Sequence, residues 1–422
     1  MNRLTDAAIR PLDDLAWLDE AIGDARVVAI GESSHYNREF YELRHLLLRR
    51  LAERHGFGVL AMETGFAEGW RTDAWIGGGD GEPADRVMAQ GMSSLMGLWT
   101  EMRAQLEWMR GHARPLRFYG VDLPGSMCSL LPGLDAVLAY LAEADPGLVV
   151  DPALREVAGG FSASSAFSAP QALAAYGELA QEHRDALTSG LADLATLVRG
   201  RRLDFVRRTG AEPYERAAHI LRLCADLDGM VRAMVRDGAG GAQMSIRDAG
   251  MAASLEWILE REERVVVAAH NAHLQRCPMV MPGVPVSTPM GMHLADRLGD
   301  DYVVIGTTYA TGRILNTGPG FYTGELFTDL EAPEPGSLDA LMAATHDEPF
   351  ALDLRRLSPS DAKLVQAATR HRISSYYGEV DPLTAFDVLV HLPRVTPAHP
   401  DEAALAHAPA EVREPFAAYL RT

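Results

Sequence analysis

Lysine is almost missing from this chain of 422 residues: Lys363 is the only one among 39 basic side chains. A phosphate-binding loop needs a lysine behind its glycines, and a Schiff base needs an amine. Lys363 sits in the polar, helix-like run Ser360-Asp-Ala-Lys363, with no glycine loop before it. The sequence thereby argues against phosphate-loop and pyridoxal chemistry. Cysteine is scarce too. Cys128, Cys224 and Cys277 are odd in number and widely spaced, matching neither a disulfide framework nor a zinc ribbon. Long apolar runs are absent, since stretches such as Val265 to Ala269 fall far short of a bilayer. Residues Met1 to Asp14 carry charges and no apolar signal core. A soluble cytoplasmic protein with no membrane partner is expected. Basic charge is also short: at a net −19 the chain has no excess with which to bind phosphate backbones, so no nucleic acid partner is expected.

What is present is an ordinary globular composition, 47% hydrophobic and 23% charged. The length suits one large domain with an insertion, or two to three smaller ones. Short β-branched runs alternate with helical periodicity in the first third. Ala25 to Ile30, Gly58 to Met62 and Leu116 to Val121 read as strands, with helices over Asn37 to His55 and Trp99 to Arg110. From Cys128 to Gln243 the chain turns Ala/Leu-rich and helical, with a small-residue stretch at Gly159 to Pro170 and glycines at Gly238 to Gly241. The alternation then resumes with a helix over Asp248 to Glu260 and strands at Arg264 to Ala269, Tyr302 to Thr308, Phe350 to Leu354 and Phe386 to His391. The pattern predicts a three-layer α/β fold with a mainly parallel central sheet and an inserted helical segment. Residues 1–127 and 248–422 would form the catalytic core, and 128–247 a helical insertion or cap lining the cleft.

Ligands of parallel sheets bind beyond the carboxyl ends of the strands. Those ends here carry Glu32 and His35, then Glu63, then Asp122, then His270, Asn271 and His273. A serine hydrolase would show Gly-x-Ser-x-Gly and a zinc protease His-Glu-x-x-His, and neither occurs. Glu32, His35, His270 and His273 are residue types that hold zinc or iron. Positions i and i+3 of an extended strand point to opposite faces, however, so His270 and His273 converge only if the chain turns at Asn271. Metal-free acid–base hydrolysis suits the set better, with no metal and no cofactor. A histidine takes a proton from water near neutral pH, and a carboxylate on its other nitrogen sets the tautomer. Glu32 and His35 are spaced for that pairing. Arg38 or Arg44 in the next helix would bind a carboxylate or steady Glu63.

The run Ala29-Ile-Gly-Glu-Ser-Ser-His-Tyr-Asn-Arg-Glu-Phe40, followed by Arg44, resembles the opening motif of the erythromycin esterase family. So do Ala61-Met-Glu63-Thr, Arg247-Asp-Ala-Gly-Met251 leading to Leu255-Glu-Trp257, and Ala269-His-Asn-Ala-His273. Met290-Gly291 to Asp300, Tyr302 to Gly306 and Phe386-Asp387 extend the likeness over roughly residues 20 to 395. The resemblance implies a three-layer α/β enzyme that opens lactones without a metal. By matching positions, it implies His35 as the essential histidine with Glu32 before it. Arg44, Glu63 and the pair His270 and His273 then fall in the same site. The family usually has Gly-Thr-His-Gly where this chain has Ser33-Ser34-His35-Tyr36, so Tyr36 is expected to crowd the substrate side of the base.

The expected activity is therefore hydrolysis of a lactone or complex ester by water that His35 and Glu32 activate. Glu63, His270 and His273 assist, while Arg44, Tyr36, Asp122 and Asn271 bind the small-molecule substrate. A macrolide-resistance role fits that reading. Two alternatives stand beside it: a natural-product tailoring enzyme using the site for acyl transfer or cyclisation, and a non-catalytic metal- or haem-binding protein. No oligomeric state is implied.

Overall fold

Continuous apolar runs such as Val265 to Ala269 need cover on both faces. The computed structural model, which describes residues 3–79, 81–238 and 240–421, provides it; Met1 and Asn2 of the N-terminal reading and Ala239 of the glycine stretch lie outside the described residues. The principal sheet comprises β1 (Ile9–Pro11), β2 (Val27–Glu32), β3 (Val59–Gly65), β4 (Arg117–Asp122), β5 (Val265–His270), β6 (Tyr302–Leu315), β7 (Phe327–Asp329), β8 (Phe350–Asp353) and β9 (Val388–Val395). They are ordered β1-β8-β9-β6-β2-β5-β3-β4, with β7 on the end of β6. From β9 to β4 the strands run parallel, while β8 pairs antiparallel with β9 and β1. The fold is the mainly parallel α/β sheet that the sequence predicts.

Side chains alternate between two cores. Val27 and Ala29 of β2 join one apolar cluster, while Val28 and Ile30 join the other. The helix Arg38–His55 buries Phe40, Leu43, Leu47 and Leu51 in the second cluster, beside Met102, Leu106 and Met109 of the helix Thr100–Gly111. Gly56 ends the first of these helices in the left-handed region at φ 73°, its N–H bonding Leu51 O. The opposite face of the sheet is covered by the helix Gly241–Leu259 and by the helices of the inserted segment, from Leu131–Ala144 to Ala211–Asp237. Helices therefore cover both faces.

Two features differ from expectation. The helix expected to start at Asp248 starts at Gly241, so residues 247 and 248, taken as a domain boundary, are consecutive positions of one helix. Its glycine opening, without a polar side-chain cap, reads as loop. A second sheet of four strands, Met279–Met281, Val284–Ser287, Arg370–Ile373 and Tyr376–Glu379, was not anticipated. Strands of three or four residues are too short to display a period.

Candidate active site

Although β5 follows the inserted segment in sequence, it lies between β2 and β3 in space. The register pairs Glu32 directly with His270, and Gly65 with Asp122. Strand ends far apart in sequence thus share one rim. Gly31 permits the close fit: a Cβ there would lie 2.1 Å from Asn271 Oδ1.

Beyond β2 the chain bends at Ser33 and Ser34 and turns at His35 and Tyr36, the latter at φ 62°, and His35 lies back over Glu32. His35 Nδ1 is 2.6 Å from Glu32 Oε1. A carboxylate only accepts, so Nδ1 carries a hydrogen and, in the neutral ring, Nε2 keeps a free lone pair. Glu32 Oε2 accepts from Arg44 Nη1 at 3.3 Å, and Arg44 Nε donates to Gln105 Oε1 at 3.1 Å. Arg44 also lies over the Tyr41 ring at 4.6 Å. Arg44, the expected substrate binder, is buried and holds Glu32. Gln105 was not foreseen, because a lone glutamine in an amphipathic helix resembles a surface residue. Arg38 is exposed and pairs with Glu42 at 2.7 Å.

A second histidine–carboxylate pair faces the first. The chain turns after His270 into the short helix Asn271–Leu274, which sends His273 back toward the rim. His273 Nδ1 is 2.7 Å from Asp248 Oδ1, and its Nε2 is 3.3 Å from Glu63 Oε1. That same Nε2 is 3.2 Å from Arg247 Nη1. Protonated, Nε2 donates to Glu63; neutral, it accepts from Arg247. Asp248 and Glu63 favour the cation, overcoming burial and the repulsion of Arg247, so the His273 pKa is raised. Arg247 also forks onto Asp122, Nε to Oδ1 at 2.9 Å and Nη2 to Oδ2 at 2.7 Å, and Nη2 reaches Glu63 Oε1 at 3.0 Å. Arg247 and Asp248 were legible only as an Arg-Asp motif, without an assigned role. Asp122, expected to touch substrate, is instead buried under Arg247.

Glu63 is where the two pairs meet. Its Oε2 accepts from His270 N–H at 2.8 Å, and its Oε1 lies 3.9 Å from His35 Nε2. Burial opposes its charge, but His273, His35 and Arg247 hold its carboxyl well below the usual carboxylate range. Against burial, Glu63 and Glu32 raise the His35 pKa above its ordinary value. Part of the His35 side chain stays open, at 21% exposure against 6% for Glu63.

Three further expected site residues have their polar groups occupied within the protein. His270 belongs to the rim, but both its ring nitrogens are taken: Nδ1 accepts from Ala272 N–H at 3.1 Å, and Nε2 donates to Ser33 O at 3.0 Å. Burial pushes its pKa down to about 3. It is a neutral ring, 5.3 Å from that of His35, with no donor left for a carbonyl. Asn271, expected to touch substrate, is buried and ties Ser33 Oγ to Thr307 O, at 3.0 and 2.8 Å. Tyr36 stands beside His35 but in the core. Its ring stacks on Trp99 at 5.3 Å and its hydroxyl donates to Ser94 O, leaving 5% exposed. Among the described residues, no three His, Cys, Asp or Glu groups are disposed to hold a metal ion.

A family model described as erythromycin esterase matches residues 52–395. The chain belongs to the erythromycin esterase family. It is thereby a hydrolase of ester bonds. Erythromycin esterase type II of Escherichia coli is 32% identical over 346 residues, covering 78% of this chain and 80% of that protein. Erythromycin esterase type I of the same organism is 27% identical over 327 residues, covering 73% and 76%. A solved erythromycin esterase mutant in its open conformation shares the fold at 22% identity and a TM-score of 0.76, covering 94% of this chain and 99% of that one. So does a Bacillus cereus protein, at 19% identity and the same TM-score, covering 94% and 97%.

In this esterase a cavity of about 760 Å³ opens beside the ends of β3 and β4. One wall is the loop of Ser93 and Ser94, whose Ser93 Oγ accepts from Gly65 N–H at 2.8 Å. A second is the turn Gly125 to Ser129, and a third runs over Gly159 to Ala166 of the inserted segment. His407 to Val412 close the far side. No helix among the described residues is long and apolar enough to cross a membrane.

Proposed function

We propose that this chain hydrolyses a macrolactone or similarly complex ester without a metal, by water that His35 activates. The observation that carries the reading is the pairing of His35 Nδ1 with Glu32 Oε1 at 2.6 Å, with Nε2 left facing Glu63 at 3.9 Å. That second distance exceeds a hydrogen bond, and one water that donates to both atoms spans about 4 Å. His35 Nε2 removes one hydrogen of this water as its oxygen attacks the ester carbon. Glu63 accepts the other and fixes the direction of attack. The imidazolium then protonates the alkoxide as the carbon–oxygen bond breaks, leaving a carboxylic acid and an alcohol. Glu32 steadies the charge on His35, and Arg44 with Gln105 keeps Glu32 in place. His273 with Asp248, and Arg247 with Asp122, grip Glu63 from the other side. His270 holds the rim through its backbone and ring. The macrolactone class is supported by the names of the relatives and by a cavity of the size that small-molecule sites have. The inserted segment, which lines that cavity, forms one wall of the substrate cleft.

The test is turnover of erythromycin A, followed as the gain of one water by mass spectrometry. His35→Asn should lower kcat by about 10²–10⁴ with an unchanged circular dichroism spectrum, and wild-type activity should survive exhaustive chelation. Wild-type turnover by the variant, or activity that vanishes on chelation and returns with zinc, would overturn the mechanism.

A further inference from the structure

The cavity wall at the end of β4 carries polar groups that the proposed mechanism does not use. Gly125, Ser126 and Met127 follow one another in the left-handed region, at φ 58°, 49° and 62°. Glu68, in the first turn of the helix Phe66–Ile76, pins this turn: its Oε1 accepts from Gly125 N–H at 2.8 Å. The carboxyl lies over Gly65, where a Cβ would meet Oε2 at 2.1 Å. Two buried side-chain atoms of this wall have no hydrogen-bond partner, Glu68 Oε2 and Ser126 Oγ. Ser126 is 8% exposed. Buried polar atoms are ordinarily paired, and an unpaired one calls for an explanation. Both residues line the cavity.

We propose that Glu68 and Ser126 form a substrate subsite that recognises a hydroxyl group of the ester. Glu68 Oε2 accepts the hydroxyl hydrogen, and Ser126 Oγ–H donates to the hydroxyl oxygen. A hydroxyl is the group that answers both at once, being donor and acceptor. The charge of the wall agrees. No lysine or arginine is among the residues lining the cavity, while Glu68 and Asp135 are, so phosphorylated and carboxylated esters do not suit it. Burial, with Asp122 adding to it, pushes the Glu68 carboxyl up to about 7. At neutral pH it therefore lacks the full charge that would single out an ammonium group. Glu68 feels the charge of Asp122, which Arg247 holds at the end of β4, so a substrate held by the subsite is presented to the candidate active site. The assignment rests on the cleft binding an ester.

The test compares erythromycin A, a hydroxylated fourteen-membered lactone, with tridecanolide, which has the same ring size and no hydroxyl. Ser126→Ala and Glu68→Leu should each lower the erythromycin-to-tridecanolide ratio of kcat/KM about tenfold, mainly through KM, as expected for one lost hydrogen bond. Glu68→Gln keeps an acceptor and should lower it less. Ser126→Gly relieves the left-handed backbone but still lacks the hydroxyl, so it should match Ser126→Ala. An unchanged ratio in both serine variants, with the two lactones falling in parallel, would overturn the subsite. If the wild type hydrolyses neither lactone, the macrolactone reading fails on its own, and calorimetry decides the subsite. In the His35→Asn background, Ser126→Ala should weaken erythromycin A binding about tenfold; an equal Kd, or no binding at all, would refute it.

Discussion

Replacing Arg247 with methionine should both destabilise the protein and disable it. The Arg247 side chain is 9% exposed, and its guanidinium forks onto Asp122 at 2.9 and 2.7 Å and reaches Glu63 at 3.0 Å. Methionine has a comparable length and no charge, so Arg247→Met leaves Asp122 buried without its cation and strips Glu63 of one of its cationic neighbours. Breaking a buried ion pair by removing one partner costs about 3–5 kcal/mol. At about 2.1 cal/mol/K of unfolding entropy per residue, 422 residues give roughly 0.9 kcal/mol/K, so the melting temperature should fall by about 3–6 °C. Glu63 keeps its bond from His270 N–H and its neighbours His273 and His35, but loses the donor that fixes Oε1 from the side of Asp122. A displacement of about 1 Å near the reacting atoms costs on the order of 10² in kcat/KM. Arg247→Lys restores the charge but not the fork; it should recover part of the stability and little of the activity. Differential scanning calorimetry together with lactone kinetics measures both effects. A methionine variant that melts within about 1 °C of wild type and keeps its kcat/KM would refute the claim that Arg247 organises Glu63.

Three further outcomes follow from the same geometry. His35 is held above its ordinary value by Glu63 and Glu32 against burial, and it serves as a base only when neutral. The rate should therefore rise with pH through a value above 6.5, and Glu63→Gln should move that limb to lower pH; an unmoved limb would assign it to another group. Burial pushes His219, His270 and His391 down to about 3 and His371 to about 4. The unfolded chain binds those protons near pH 6.5 while the folded one refuses them. Stability should thus fall by up to about 1.4 kcal/mol per pH unit for each such histidine, from pH 6.5 down to its folded value; a urea midpoint equal at pH 7 and pH 5 would contradict this. For Tyr36→Gly, relief of the left-handed backbone returns about 1–2 kcal/mol, whereas losing the ring packed on Trp99 costs about 3–5 kcal/mol. The net is a less stable enzyme with nearly unchanged preference between lactones, and a large gain in macrolide turnover would show the ring does stand in the substrate's way.

The Tyr36 outcome shows how far local pattern reaches. The motif Ser33-Ser34-His35-Tyr36 placed a large ring next to the base, and the ring is there. Whether it faced substrate or core depended on Trp99 and Ser94, which come from a different loop. Arg44 and Asp122 repeat the lesson. Charged residues near a strand end look like ligand binders in a sequence, yet each meets a buried opposite charge instead. Gln105 and Asp248 carried no local sign of their partners.

Much was nonetheless determined by the sequence alone. Apolar runs flanked by helices dictate a parallel sheet, because such strands must be covered on both faces. Chemistry at the strand ends follows, and so does the pairing of Glu32 with His35, because three residues and one turn are all that separate them. Tertiary structure decided the rest. It inserted β5 between β2 and β3, so that His270 lies against Glu32 and His273 can meet Glu63. It ran the helix Gly241–Leu259 past the rim, so that Arg247 and Asp248 reach the site from the opposite side. The physical reason is range. Hydrogen bonding over three residues is local, whereas strand order and helix docking depend on burial summed over the whole chain, which no single motif records.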